Sequence, residues 1–164
     1  MPGDDVVANP QLNATRAITI AASLSQVFPW LAQMGFGKAG WYSYDWVDNR
    51  GKESARTLND DWQVDRVGDV VPGGPIDFTV SVLEPNRAFC IVVEKKLLVF
   101  SLSFVLNEEM GGTRLVSRAR ASARGVVGEA FVRWLLGPGD GLMVRRQLLG
   151  VKERAEALAT ERSV

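Results

Sequence analysis

Near the end of the chain Val144, Leu148, Val151, Ala155 and Leu158 recur at spacings of four, three, four and three. On a helix of 3.6 residues per turn these positions fall on one apolar stripe, so a long helix over 139–159 is expected, with Asp140 as its N-cap behind Gly137, Pro138 and Gly139. Upstream the period changes to two. In 97–106, Leu98, Phe100, Leu102, Phe104 and Leu106 share one face; in 113–123, Leu115, Ser117, Ala119, Ala121 and Ala123 share another. If a loop over 107–112 sets the register, Phe104 faces Leu115, Leu102 faces Ser117 and Phe100 faces Ala119, large against small, leaving room for the helix to come close. The other face of 113–123 then carries Arg114, Arg118, Arg120 and Arg124, read as a solvated outer surface.

Shorter signals complete the order. Residues 14–20 alternate as a first strand. Ser23 and Gln26 have the form of a capping box ahead of Leu24, Val27, Leu31 and Met34, which repeat as a helix. Pro29 lies inside that helix and predicts a kink; Gly35 is placed to end it. Strands follow at 70–71, 78–83 and 88–93, separated by turns rich in Pro, Gly and Asn, so the sheet is read as an antiparallel meander. The apolar stretch 126–136, with Phe131, Trp134 and Leu135, reads as a short helix leading to the last one. Residues 1–12 read as a flexible lead-in, and 13–164 as one domain.

Composition narrows the chemistry. The 164 residues contain 19 Lys+Arg and 19 Asp+Glu, so no overall field favours nucleic acid, and nucleic-acid partners are not expected. No apolar run is long enough for a membrane helix and 1–5 do not resemble a secretory signal; stable membrane insertion is not expected, and a cytoplasmic location is. The single cysteine, Cys90, sits in an apolar run and reads as a buried small hydrophobe. With no histidine, imidazole bases, histidine metal sites and Ser-His-Asp chemistry are excluded, leaving carboxylates, tyrosine, lysine and arginine. Neither a metal nor a cofactor is expected.

Two motifs in 35–62 bear on function. Gly35-Phe36-Gly37-Lys38-Ala39-Gly40 matches the glycine spacing of a dinucleotide-binding turn. It follows a helix rather than a strand, and Trp41 and Tyr42 come directly after it, so a flexible loop or lid is the better reading. The segment 41–62 holds both tyrosines, Tyr42 and Tyr44, and three of the five tryptophans, Trp41, Trp46 and Trp62. Such side chains pair apolar area with a hydrogen-bonding tip and suit a core as well as a pocket.

The succession of strand, short helices, aromatic loop, meander and long terminal helix resembles the SRPBCC superfamily of START-like, birch-pollen-allergen-like and polyketide cyclase-dehydrase proteins. Residues 15–20, 28–35, 40–45, 67–72, 112–115 and 148–152 (Thr15-Arg16-Ala17-Ile18-Thr19-Ile20 through Leu148-Leu149-Gly150-Val151-Lys152) are similar to a bacterial subgroup of it. The resemblance implies an α+β helix-grip fold, a curved antiparallel sheet wrapped around the last helix, with a cavity between them. Its walls would be Phe78, Val80, Ile91, Phe100, Leu102 and Phe104 on the sheet and Val144, Leu148 and Val151 on the helix. Trp41, Tyr42, Tyr44, Asp45 and Asn49 would stand near its mouth. Binding or transport of a small hydrophobic molecule, such as a lipid, polyketide or isoprenoid, is the leading expectation. A cyclase or dehydratase is the alternative, with Asp45 taking a proton in an apolar pocket and Tyr42 or Tyr44 donating to the forming oxyanion. A protein-interaction module with a filled core is the third; Asp45 as a mere loop ligand is the plainest account of that residue.

Overall fold

The period-two segments become one sheet of six strands, and the 3.6-period segments pack on its concave side. In this computed structural model, which describes residues 1–125 and 137–161, the elements run β1 (Leu12–Ile20), α1 (Leu24–Ala32), α2 (Asp45–Asp48), a 3-10 turn (Asp60–Trp62), β2 (Val70–Val71), β3 (Phe78–Glu84), β4 (Ala88–Lys95), β5 (Leu98–Glu109), β6 (Gly112–Ala123) and α3 (Gly137–Glu161). The strand order is β1-β6-β5-β4-β3-β2, antiparallel throughout, so the meander runs from β2 to β6 and the first strand returns to pair with the last. This is the α+β helix-grip architecture. The short helix expected over 126–136 lies outside the described residues. Among the described residues no helix is long and apolar enough to cross a membrane.

The predicted faces hold, and one register shifts. Phe104 pairs with Ser117, Leu102 with Ala119 and Phe100 with Ala121, two residues from the expected pairing. The physical reason is the turn: β5 continues to Glu109, β6 starts at Gly112, and Met110 with Gly111 alone makes the reversal. A shift of two keeps every side chain on its face, which is why the alternation could be right and the pairing wrong. Large still meets small across the ladder.

The helix stripe is buried as predicted, with Val144, Leu148, Val151 and Ala155 all under 8% exposed. The helix already includes Gly137, so Pro138 and Asp140, expected as breaker and N-cap, lie inside it. Nor does it lie along the whole Ala and Ser row. It runs beside β1 and α1: the Lys152 ammonium donates to the Thr19 carbonyl at 2.8 Å, Glu156 accepts the Ala21 amide at 2.8 Å, and Gln147 meets the Met34 sulfur at 3.5 Å. Leu115 and Ala119 therefore join the cluster containing the helix, whereas Ala121 and Ala123 form a separate one with Leu12, Leu98 and Phe100. Helix α1 runs through Pro29 as one element, and the Gln26 half of the capping box closes at 2.9 Å on the Ser23 amide.

The outer face differs most from expectation. Arg118 and Arg120 are covered: both bind Asp4, at 2.6 and 3.2 Å, and Gly3 sits over Cys90 and Ser101 so closely that a Cβ there would collide with the Cys90 sulfur. The segment expected as a loose lead-in thus packs on the sheet, with Val7 buried. Burial alone would raise the Asp4 carboxyl; the terminal ammonium, Arg120 and Arg118 outweigh it and hold the group below its ordinary value. Arg124 stays exposed.

Candidate functional site

The glycine motif is a closed loop. Gly35 and Gly40 exchange both backbone hydrogen bonds, at 3.1 and 3.0 Å, and Phe36 donates to the Pro72 carbonyl at 2.7 Å. Gly40 has φ of +77° and a Cβ there would strike Ser54, so glycine is required for geometry and not for a phosphate. From this loop the chain enters the aromatic stretch, and its residues go two ways.

Trp41 goes to the sheet. Its ring meets Phe78 edge-on at 5.4 Å, and Phe78 meets Phe100 at 6.0 Å. These rings lie on the concave face with Val80, Ile91, Leu102 and Phe104, which are buried in one cluster with Val144, Leu148 and Val151. Phe78 and Phe100 keep partial exposure, and Phe100 packs on the small side chains of Ala121 and Ala123. The proposed wall residues are therefore brought together. At the seam between β1 and α3 lies a cleft of about 480 Å³, bounded by Ile18, Leu148 and Leu149, with Arg16 and Arg145 among its lining.

Tyr42, Asp45 and Asn49 go to the loop itself. Tyr42 is 2% exposed and takes φ of +59°, a left-handed conformation that costs a non-glycine residue about 1 kcal/mol and persists only when its surroundings enforce it. Those surroundings are explicit. Gln33 donates to the Tyr42 hydroxyl at 2.9 Å, Arg154 lies 4.6 Å over the ring, and Gly150 of α3 touches the Tyr42 carbonyl where any side chain would collide. Burial pushes the phenol well above its usual value, against smaller opposing effects of Gln33 and Arg154, so it is a neutral hydrogen-bonding group at any physiological pH. Asn49 donates to the Lys52 carbonyl at 2.7 Å and accepts from Gly37 at 3.4 Å. Asp45 accepts from the Ser54 amide at 3.0 Å and from the Ser54 hydroxyl. It faces a polar niche of about 130 Å³ shared with Arg56, Arg146 and Arg154, not an apolar pocket. The general-base role expected of it is not supported; the loop-ligand account is what the geometry shows. Tyr44 is 38% exposed on the outside of the loop.

Three residues carry more of this region than the sequence suggested. Gln33, fully buried, accepts the Asn59 amide at 3.0 Å and reaches the Thr57 carbonyl at 3.3 Å besides holding Tyr42. The available signal was a lone amide inside the apolar run Trp30-Leu31-Ala32-Gln33-Met34. Arg154 donates to the carbonyls of Ala55, Ser54 and Gly150 at 2.6, 3.2 and 3.0 Å, tying the loop to α3; burial depresses its pKa. Asp48 is the third. Both its oxygens are buried without a hydrogen-bond partner, and burial, then the nearby Asp45 charge, push it up to about 6. No spacing rule separates Asp48 from Asp45; only their surroundings do. Among the described residues no cluster of three acidic or cysteine side chains could hold a metal ion.

No family model matches the chain, and no curated protein matches it in sequence. Its fold is shared with solved structures. The KanY protein (ms6282) aligns over 90% of this chain and 99% of its own, with a TM-score of 0.58 at 12% identity. Protein CV1439 from Chromobacterium violaceum aligns over 88% and 97%, at 0.56 and 12%. The di-domain ARO/CYC BexL of the BE-7585A biosynthetic pathway aligns over 93% of this chain but 53% of its own, at 0.50 and 15%. At these identities the likeness is one of fold.

Proposed function

We propose that the chain belongs to the SRPBCC superfamily and binds a small, mostly apolar molecule carrying oxygen, held between the concave face of the sheet and α3. The observation that carries this reading is the cleft of about 480 Å³ between β1 and α3. Its lining combines apolar Ala17, Ile18, Leu148 and Leu149 with Arg16 and Arg145, and it has the volume of a small-molecule site, roughly 300–1,000 Å³. Of the expected wall residues Leu148 lines this cleft; Phe78 and Phe100, which keep partial exposure, lie further across the sheet. The shared fold with KanY, CV1439 and BexL supports the architecture, and the name of BexL supports a polyketide-like ligand class.

The test is native mass spectrometry of freshly purified protein with extraction of whatever is retained, followed by titration with the apolar dye anilinonaphthalene sulfonate. Leu149 is half-buried on the cleft wall, so Leu149→Trp should fill the space and weaken dye binding about tenfold while leaving the melting temperature near that of wild type. A wild-type protein that carries nothing and takes up no dye sinks the reading. A second reading, proton transfer of the cyclase kind, is favoured by Asp48, whose two oxygens are buried without a hydrogen-bond partner and whose carboxyl burial pushes up to about 6. Turnover of a retained molecule that is lost in Asp48→Asn, but kept in Asp45→Asn, is the outcome that reading requires.

A further inference from the structure

The short helix α2 sorts its side chains by chemistry. Its two acids turn inward: Asp45 is bound to Ser54 and both Asp48 oxygens are buried. Its apolar pair turns outward, Trp46 at 78% exposure and Val47 at 51%. The hydroxyl of Ser43, just before α2, donates to the Met143 carbonyl at 3.1 Å, so the start of the described part of α3 lies alongside. There Leu142 is 63% exposed. Arg50 and Lys52, directly after α2, are exposed as well, with the Arg50 guanidinium stacked 5.4 Å over Phe36. Glu53 is the exposed acid of this stretch. Tryptophan, valine and leucine are thus exposed on adjoining elements, with Arg50 and Lys52 following the first of them, on a protein whose overall formal charge is zero.

We propose that this tip docks on an anionic lipid bilayer, with Trp46, Val47 and Leu142 entering the headgroup zone and Arg50 and Lys52 meeting lipid phosphates. The patch is small and convex. Three projecting side chains fall short of the roughly 800 Å² per partner that a stable protein interface buries, whereas single tryptophans are suited to the membrane interface, where an indole has apolar and polar surroundings at once. Cations beside them supply attraction to acidic headgroups that the neutral chain as a whole does not have. Docking of this kind is superficial and calls for no spanning segment. It stands independently of the cleft: a protein with an empty interior would still present this surface.

The test is flotation of the purified chain with vesicles of phosphatidylcholine alone and of phosphatidylcholine containing about 30% phosphatidylglycerol. Binding is expected on the acidic vesicles at low salt, about tenfold weaker on neutral ones, and lost at about 0.5 M salt. The emission difference between wild type and Trp46→Phe should move to the blue on acidic vesicles, reporting burial of that one indole. Trp46→Ser and Leu142→Ser should each cut binding about tenfold, and because both side chains are exposed the folded signal by circular dichroism should persist. Absence of binding to acidic vesicles at low salt overturns the proposal, as does binding that both serine variants retain. A concentration-dependent dimer in sedimentation velocity that both variants abolish also overturns it, because the patch then belongs to a second copy of the chain.

Discussion

The concave face of the sheet and the loop that lies over it are built on opposite principles. On the sheet, side chains are sorted by size and turned by the pleat: Phe104, Leu102 and Phe100 stand against Ser117, Ala119 and Ala121, and no polar partner is required to hold them. The loop is held by polar side chains, its own and those of its neighbours: Asp45 on Ser54, Asn49 on Lys52, Gln33 on Tyr42 and Asn59, Arg154 on three carbonyls. Failure of the sheet should therefore be graded by volume, and failure of the loop by stranded donors and acceptors. The exception in the loop is Asp48, whose partners are missing.

Three substitutions sharpen that contrast. The largest effect is expected from Phe104→Ala, which empties a fully buried site and should cost about 3–5 kcal/mol in urea unfolding; a loss under about 1 kcal/mol would show that the face is not tightly packed. Gln33→Leu keeps the volume but strands the Asn59 amide and the Tyr42 hydroxyl, and should cost about 1–3 kcal/mol. Its hallmark is local: amide exchange should accelerate in 42–59 before it does in the sheet. If protection is lost uniformly, the loop is not a separate unit.

The smallest effect is expected at Asp48, and it runs the other way. A folded-state pKa raised from 3.8 to about 6 means that folding favours the protonated acid. The stabilising contribution is complete below about pH 4, where the acid is protonated folded or unfolded, and is lost as pH rises through about 6. Wild type should thus lose about 1–2 kcal/mol between pH 4 and pH 7 from this group, after discounting for its partial exposure. Asp48→Asn, which carries no charge, should remove that slope and be the more stable protein at pH 7. An unchanged pH profile in the variant would mean that the carboxylate is solvated.

These regions were not equally legible in the chain. Alternation at 98–106 and 113–123 showed which side chains share a face, because the pleat imposes a period of two whatever the partner strand does. It left the register open by two residues, since such a slip preserves every face and the length of the turn at Met110 and Gly111 decides it. The stripe on α3 was legible for the same reason, and so was the need for a sheet to receive it. The two destinations of the aromatic stretch were not. Trp41 and Tyr42 are neighbours in sequence, yet one packs on Phe78 and the other is locked by Gln33 and Arg154, contacts that cross up to 112 residues of chain.

Local sequence therefore determined what depends on a repeat of the backbone: the helices α1 and α3, the strands, their faces and, through the absent histidine, the chemistry the protein must do without. Tertiary structure alone decided what depends on surroundings. Asp45 and Asp48 are the same residue type one helical turn apart, and only the folded chain gives one of them its hydrogen bonds and leaves the other buried without any. Arg118 and Arg120 read as solvent-facing until Asp4, more than a hundred residues away, is laid across them. Charge, hydrogen bonding and burial act between neighbours in space, and a linear pattern carries those neighbours only where they are also neighbours along the backbone.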